Sequence, residues 1–143
     1  MKRPFSFPYT FLKRRKVEIK ISPAVTNEEL NILFAVAWDN HSSLDFDPIL
    51  IRSLLYICAY IDSQVVGFVN FAWDGGVHAF LLDTTVHPDF QRRGIGLQIV
   101  RAGIDAVRRY NIEWIHIDYE PHLHEFYAQC GFTPTLAGLV NLK

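Results

Sequence analysis

The chain has 143 residues, half of them hydrophobic and 20% charged, with a formal net charge of −1. That length can bury roughly 70% of the unfolded surface in one core, and the composition excludes a disordered chain. The near-neutral balance gives no global field for nucleic acid or a membrane surface, and no apolar run approaches the ~20 residues of a membrane-spanning helix. Cys58 and Cys130 have no metal-type spacing and read as reduced, buried thiols, which suits a cytoplasmic protein.

Charge is unevenly placed. Lys2, Arg3, Lys13, Arg14, Arg15, Lys16 and Lys20 lie near the start of the chain, against one acid, Glu18. Phe5–Leu12 is broken by Pro8 and followed by more basic residues, which does not fit a cleavable signal segment. Residues 1–16 read as a basic, loosely ordered extension before one domain over 17–143. An arm that touches an acidic partner or covers a ligand is the alternative.

Val17–Ile21 alternates apolar and charged residues, the pattern of a half-buried strand, and Pro23 closes it. Thr26 and Glu29 have the spacing of a capping box, and the helix they open puts Leu30, Leu33, Phe34, Ala37 and Trp38 on one face. Residues 40–47 form a polar loop, and Pro48 opens a second short helix through Leu54. Leu55–Ile61, Val65–Trp73 and His78–Val86 follow as three antiparallel strands, joined by turns at 62–64 and at Asp74-Gly75-Gly76. A helix over Leu97–Tyr110 carries Leu97, Val100, Ile104 and Val107 on its apolar stripe, with Gly103 and Ala106 allowing close approach to a sheet. Arg101–Asp105 and Asp105–Arg109 pair on its wet side, and Asn111 caps it. Glu113–Tyr119 is a strand that a right-handed crossover lays parallel to the strand ending at Val86. His122–Cys130 is a short helix ended by Gly131, and 132–142 supplies a last strand. The order β-α-α-β-β-β-α-β-α-β predicts an α/β fold built on a mixed sheet.

The junction of the third antiparallel strand with the long helix, Gln91-Arg92-Arg93-Gly94-Ile95-Gly96, carries chemistry. A strand that turns through glycines into a helix gathers unpaired N–H groups at the positive end of the helix dipole, a ready anion site. Two arginines at its lip add charge-assisted donors. A tight turn and nothing more is the alternative for Gly-x-Gly taken alone. The loop lacks the Lys-Ser/Thr of a nucleotide-hydrolase loop and the third glycine of a dinucleotide fold, and no metal is implied.

Three stretches in order resemble the GCN5-related N-acetyltransferase (GNAT) superfamily: Leu82-Asp83-Thr84-Thr85-Val86-His87-Pro88, Gln91-Arg92-Arg93-Gly94-Ile95-Gly96, and Glu125-Phe126-Tyr127-Ala128-Gln129-Cys130-Gly131-Phe132. The first is similar to that family's fourth strand, the second to its pyrophosphate loop and the third to its late Phe-Tyr…Gly-Phe element. The similarity covers roughly 17–132. It implies a central, mostly antiparallel twisted sheet of about six to seven strands flanked by about four helices. It also implies acetyl-CoA as co-substrate. The backbone of Thr84, Thr85 and Val86 would pair with the pantetheine arm, and Gln91, Arg92, Arg93, Gly94, Ile95, Gly96 and Leu97 would cradle the pyrophosphate.

By the same resemblance Tyr127 is the general acid for the departing thiolate, an aromatic that packs the last helix being the alternative. Asp118, Glu120 and Asp83 are candidate bases, each with a structural or solvated role as its alternative, and His116 and His122 are weaker candidates. Trp38, His41, Asp45, Phe46 and Trp73 are candidates for the acceptor pocket, although Trp38 at helical spacing reads more readily as core. The expected reaction moves an acetyl group to the primary amine of a small molecule, less readily of a peptide or protein, in a ternary complex. A non-catalytic acyl-CoA-binding module and a longer-chain acyltransferase are the alternatives. Nucleic acid, membrane and metal are not expected partners, and monomer and homodimer both stay open.

Overall fold

A computed structural model describes residues 15–143. Most of the basic extension expected over 1–16 therefore lies outside the described residues. Strands β1 (Glu18–Ile21), β2 (Ser53–Ile61), β3 (Gln64–Trp73), β4 (His78–Val86) and β5 (Trp114–His116) form one sheet in the order β1-β2-β3-β4-β5. Neighbours run antiparallel except β4 and β5, which are parallel and joined by a crossover through α3 (Ile95–Val107).

Two helical layers cover the sheet. Helix α1 (Asn27–Ala37) starts at the expected capping box, in which Thr26 Oγ1 accepts from the Glu29 amide and Glu29 accepts from the Thr26 amide. Its Leu30, Leu33 and Phe34 join Phe46, Cys58, Tyr60, Val65 and Phe68 in the core on one face. The short α2 (Asp47–Leu50) adds Ile49 and Leu50 at the edge of that core. On the other face α3 (Ile95–Val107) and α4 (His124–Gln129) pack on Leu55, Ile57, Ala59, Val66, Val69, Phe71 and Leu81. Gly103 lets α3 come this close, because any Cβ there would overlap the Phe71 ring.

Several expectations are corrected. The second helix was expected to run to Leu54, but β2 begins at Ser53, because Leu54 and Leu55 are drawn into the sheet beside β3. The buried face of α3 is Ile95, Ile99, Val100, Gly103, Ala106 and Val107, a stripe rotated from the expected one, with Leu97 and Ile104 half-buried. Because α3 ends at Val107, Arg109 is off the helix; Asp105 instead meets Arg108 at 3.6 Å, and Arg101 donates to the Gln129 carbonyl at 2.8 Å. Strand β5 is three residues long where seven were expected, since only Trp114–His116 keep β4 as a partner. Residues 132–143 form no strand, and the sheet holds five strands among the described residues against the expected six to seven. Leu136, Leu139, Val140 and Leu142 stand at 80–101% exposure, with no sheet edge to bury them.

Candidate functional site

Strand β4 changes character midway. At Ala79 and Phe80 it is paired on both sides, to β3 and to β5. Beyond Phe80 no strand pairs with β4 on the β5 side among the described residues, because the chain after His116 departs and the two parallel strands fork. At the fork Leu82 faces Asn70 and Thr85 faces Phe68, which leaves Asp83 and Thr84 opposite the single Val69. This is a β-bulge, and Asp83 carries its strain at φ +59°. The result is a stretch of strand edge whose backbone groups lack a strand partner on the β5 side.

The bulge sends its two threonines to opposite faces. Thr85 is buried toward α1, where its hydroxyl accepts from the Trp38 indole N–H at 3.1 Å and donates to the Asp83 carbonyl at 2.9 Å. Thr84 points toward α4, and its Oγ1 is buried without a hydrogen-bond partner among the described residues. Asp83 opens to solvent at its edge, yet desolvation of its carboxyl raises the pKa above the usual carboxylate value.

The turn from β4 into α3 is held locally. Gln91 Nε2 donates to the Val86 carbonyl at 3.1 Å, and His87 Nδ1 accepts from the Asp89 amide at 3.2 Å. Arg92 at φ +59° and Gly94 at φ +79° both adopt the left-handed conformation, which folds the loop back onto the helix start. The first turn of α3 then leaves the amides of Ile95, Gly96 and Leu97 without intrahelical partners. Gly96 is close-packed: a Cβ there would sit 3.2 Å from the Phe126 ring and 3.6 Å from Val86. Arg93 lies over Phe90, its guanidinium 5.3 Å from the ring centre, and neither Arg92 nor Arg93 forms an ion pair among the described residues. Free amides, a helix N-terminus and two unpaired guanidinium groups suit a doubly charged pyrophosphate, and the unpaired β4 edge suits an amide-bearing arm. The residues present therefore fit a coenzyme A moiety.

Helix α4 brings Tyr127 to the same place. It is 5% exposed, with Tyr119, Phe126 and Phe132 around its ring at 4.8–5.9 Å. Burial raises its pKa, the Thr84 hydroxyl pulls the other way, and Cys130 and Asp118 add smaller upward effects. A phenol in this setting stays protonated at neutral pH and can donate.

The remaining candidates divide. Asp83 and Asp118 lie about the fork; Glu120 is exposed at the start of a 3-10 turn (Pro121–Leu123), as is His122 within it. His116 is occupied on the sheet face, 2.7 Å from His78 Nδ1 and stacked on Phe80. Trp38 is 51% exposed rather than core: it terminates α1, and its indole bond to Thr85 ties it to the bulge. His41 bonds the Asn31 side chain and Asp45 accepts from Asn27, so both brace the loop between α1 and α2. Phe46, expected to line a pocket, is 1% exposed and packs edge-on to Phe34; the hydrophobic core claims it. Trp73 belongs to the hairpin at the opposite end of β4 from the glycine turn, its indole bonded to the Gly76 carbonyl. Two surface hollows, one beside Lys16 and Tyr60 and one beside Arg101 and Gln129, include no residue of the fork. Among the described residues no three His, Cys, Asp or Glu side chains gather as a metal site, and no helix is long and apolar enough to cross a membrane.

A bulged strand forked from a parallel neighbour, with a glycine turn and helix at its end, defines an α/β fold whose strand–helix junction is open to an anion. Residues 24–132 match the family model described as Acetyltransferase (GNAT) family, and the chain belongs to that family. It is 35% identical over 71 residues to an uncharacterized N-acetyltransferase, ycf52, of the alga Pyropia yezoensis, a match over 50% of this chain and 41% of the relative. The chain thus spans well under two thirds of the curated relatives it matches. A GNAT-family acetyltransferase of Streptococcus pneumoniae superposes with a TM-score of 0.74 at 22% identity, over 90% of this chain and 100% of that one. An aminoglycoside N-acetyltransferase solved with CoA gives 0.71 at 18%, over 90% and 95%. These structures share the fold.

Proposed function

We propose that the protein is an acetyl-CoA-dependent N-acetyltransferase acting on the primary amine of a small molecule. The observation that carries this is the conjunction at the β4–β5 fork: an unpaired strand edge, a free-amide helix start and a buried phenol in one place. Membership of the family and the CoA complex of a structural neighbour support the co-substrate. That same neighbour is an aminoglycoside N-acetyltransferase, which supports a small-molecule acceptor.

In this reading bound acetyl-CoA supplies an activated acetyl carbonyl, and the chain does the rest. The amides of Arg92 through Leu97 hold the phosphates, with Arg92 and Arg93 as screening charges. The free edge of β4 at Thr84–Val86 aligns the arm, and backbone N–H groups at the bulge polarise the carbonyl. Asp83, whose carboxyl is already partly desolvated, accepts the proton of the incoming ammonium. Tyr127 donates to the sulfur leaving group. Trp38, at the end of α1 and tied to Thr85, stands where an acceptor would enter.

Thermal unfolding with and without acetyl-CoA tests the co-substrate. A ligand at ~100 times its Kd adds about 2.7 kcal/mol, which should raise the midpoint by roughly 5–10 °C. Arg93→Glu is the control, since this exposed side chain lies over Phe90 without an ion pair among the described residues, and its reversal should remove most of the shift without lowering the unliganded midpoint. Folded protein that shows no shift at millimolar acetyl-CoA would overturn the proposal. A shift would be followed by an amine panel read by free thiol release.

A further inference from the structure

The buried Thr84 hydroxyl closes no hydrogen bond of ordinary geometry among the described residues, which calls for an explanation, because buried side-chain oxygens are nearly always paired. Its neighbour shows that the bulge itself does not prevent pairing: Thr85 Oγ1 has both a donor and an acceptor. Thr84 differs in facing the other side of the sheet, where its hydroxyl comes near enough to the Tyr127 phenol to favour the ionised form without closing a full hydrogen bond. The phenol has little freedom to turn away, since Tyr119, Phe126 and Phe132 surround its ring. The other groups that act on it oppose ionisation: burial, Cys130 at the end of α4, and Asp118 on the segment after β5. Arg101 of α3 faces Cys130 but is engaged with the Gln129 carbonyl. Among the described residues no cation acts on a phenolate formed here, and the Thr84 hydroxyl is the group that favours it.

We propose that Thr84 is a positioning residue for Tyr127, its hydroxyl aimed at the phenol oxygen so that it aligns the O–H and then donates to the phenolate left when the proton is given up. The step balances simply. The Tyr127 O–H bond breaks, an S–H bond forms on the leaving group, the phenol oxygen keeps the electron pair, and solvent returns the proton as product departs. The proposal rests on Tyr127 being the general acid, as in the reading above. It explains why a hydroxyl is left unpaired at the bulge: its partner is the oxygen that becomes charged during turnover.

The test compares Thr84→Val, which keeps the shape and loses the hydroxyl, with Thr84→Ser, which keeps the hydroxyl, each alone and with Tyr127→Phe. Turnover and the KM for acetyl-CoA are measured beside the 13C resonance of Tyr127 Cζ in the free protein, assigned by its loss in Tyr127→Phe. Thr84→Val should lower kcat about tenfold while KM moves less than twofold, displace the Tyr127 resonance at neutral pH and raise its titration midpoint. Thr84→Ser should restore all three, and Thr84→Val should cost nothing further when Tyr127 is already phenylalanine. Should valine unfold the strand, Thr84→Ala takes its place. An unmoved Tyr127 resonance overturns the proposal. So does a kcat loss that persists undiminished in the Tyr127→Phe background, which would assign the hydroxyl to the bound acyl-CoA or to the fold alone. A protein that fails to bind acetyl-CoA would sink the enzyme reading separately, because the resonance is read without ligand.

Discussion

At φ +59° Asp83 holds a backbone conformation that L-residues other than Asn and Asp seldom take, in the middle of a strand. An aspartate adopts it at lower cost than a β-branched residue would, and its carboxyl, on a residue that stays exposed, is partly desolvated there. A carboxyl whose pKa is raised accepts a proton more readily near neutral pH than an ordinary one. Asp83→Asn should therefore lower kcat/KM by roughly 10²-fold and abolish the acidic limb of the pH–rate profile, because that limb reports deprotonation of the base. Steady-state kinetics between pH 5 and 9 would check it, and an unchanged limb would move the role to Asp118 or Glu120. The sequence placed Asp83, Asp118 and Glu120 as equals. What marks Asp83 is desolvation of its carboxyl, which depends on atoms from elsewhere in the chain.

Among the elements, α3 carries two demands that meet at glycines. At its start, Gly94 in the left-handed region caps the helix and Gly96 lies against Phe126, so the amides stay exposed to an anion. In its third turn, Gly103 receives the Phe71 ring. Gly103→Ala gains about 1 kcal/mol of intrinsic helix propensity. Overlap with a fully buried ring costs more, roughly 1–3 kcal/mol net, since neither the ring nor the helix has room to move. The unfolding midpoint should fall by about 5–10 °C, and Phe71→Leu in the same chain should recover part of it. A midpoint unchanged or raised would show that the α3–sheet contact is looser than described. Close approach through Gly103 was readable from the sequence, because a glycine on the apolar stripe of a helix has few other uses. The rotation of that stripe was not, since Leu97 and Ile104 match its period equally well and only the sheet selects between them.

For the molecule as a whole, buried thiols and phenols set an alkaline limit to stability. Cys58 lies beneath α1 at 0% exposure, and burial pushes its thiol up to about 12 from an ordinary value near 9. Below pH 9 the thiol is protonated whether the chain is folded or not, and stability does not depend on it. Above pH 9 the unfolded chain releases the proton while the folded chain keeps it, so stability falls as pH rises toward 12. Three units bound this loss at ~4 kcal/mol, and Tyr60, also raised by burial, adds to it above pH 10. Urea unfolding at pH 8, 9, 10 and 11 should show the decline, and Cys58→Ala should start less stable but decline more gently. Parallel curves would assign the loss to other groups.

Local chemistry determined much of this protein from the sequence by itself. The capping box at Thr26, the hairpin at Asp74-Gly75-Gly76, the bounds of β4 and the glycine turn into α3 depend on residues within a few positions of one another, and spacing reports such contacts directly. The motif stretches around Val86, Gly94 and Tyr127 were legible for the same reason. Tertiary structure alone decided the rest. Nothing near Thr84 in sequence says that the strand bulges there, that its hydroxyl is left without a partner, or that Trp38 reaches Thr85 across 47 positions. Phe46 and Trp38 are both aromatic residues beside the loop between α1 and α2, yet one is core and the other lies half-exposed at the fork. Burial is a property of the assembled layers, and β5 stopped at His116 because a strand lasts only as long as its partner.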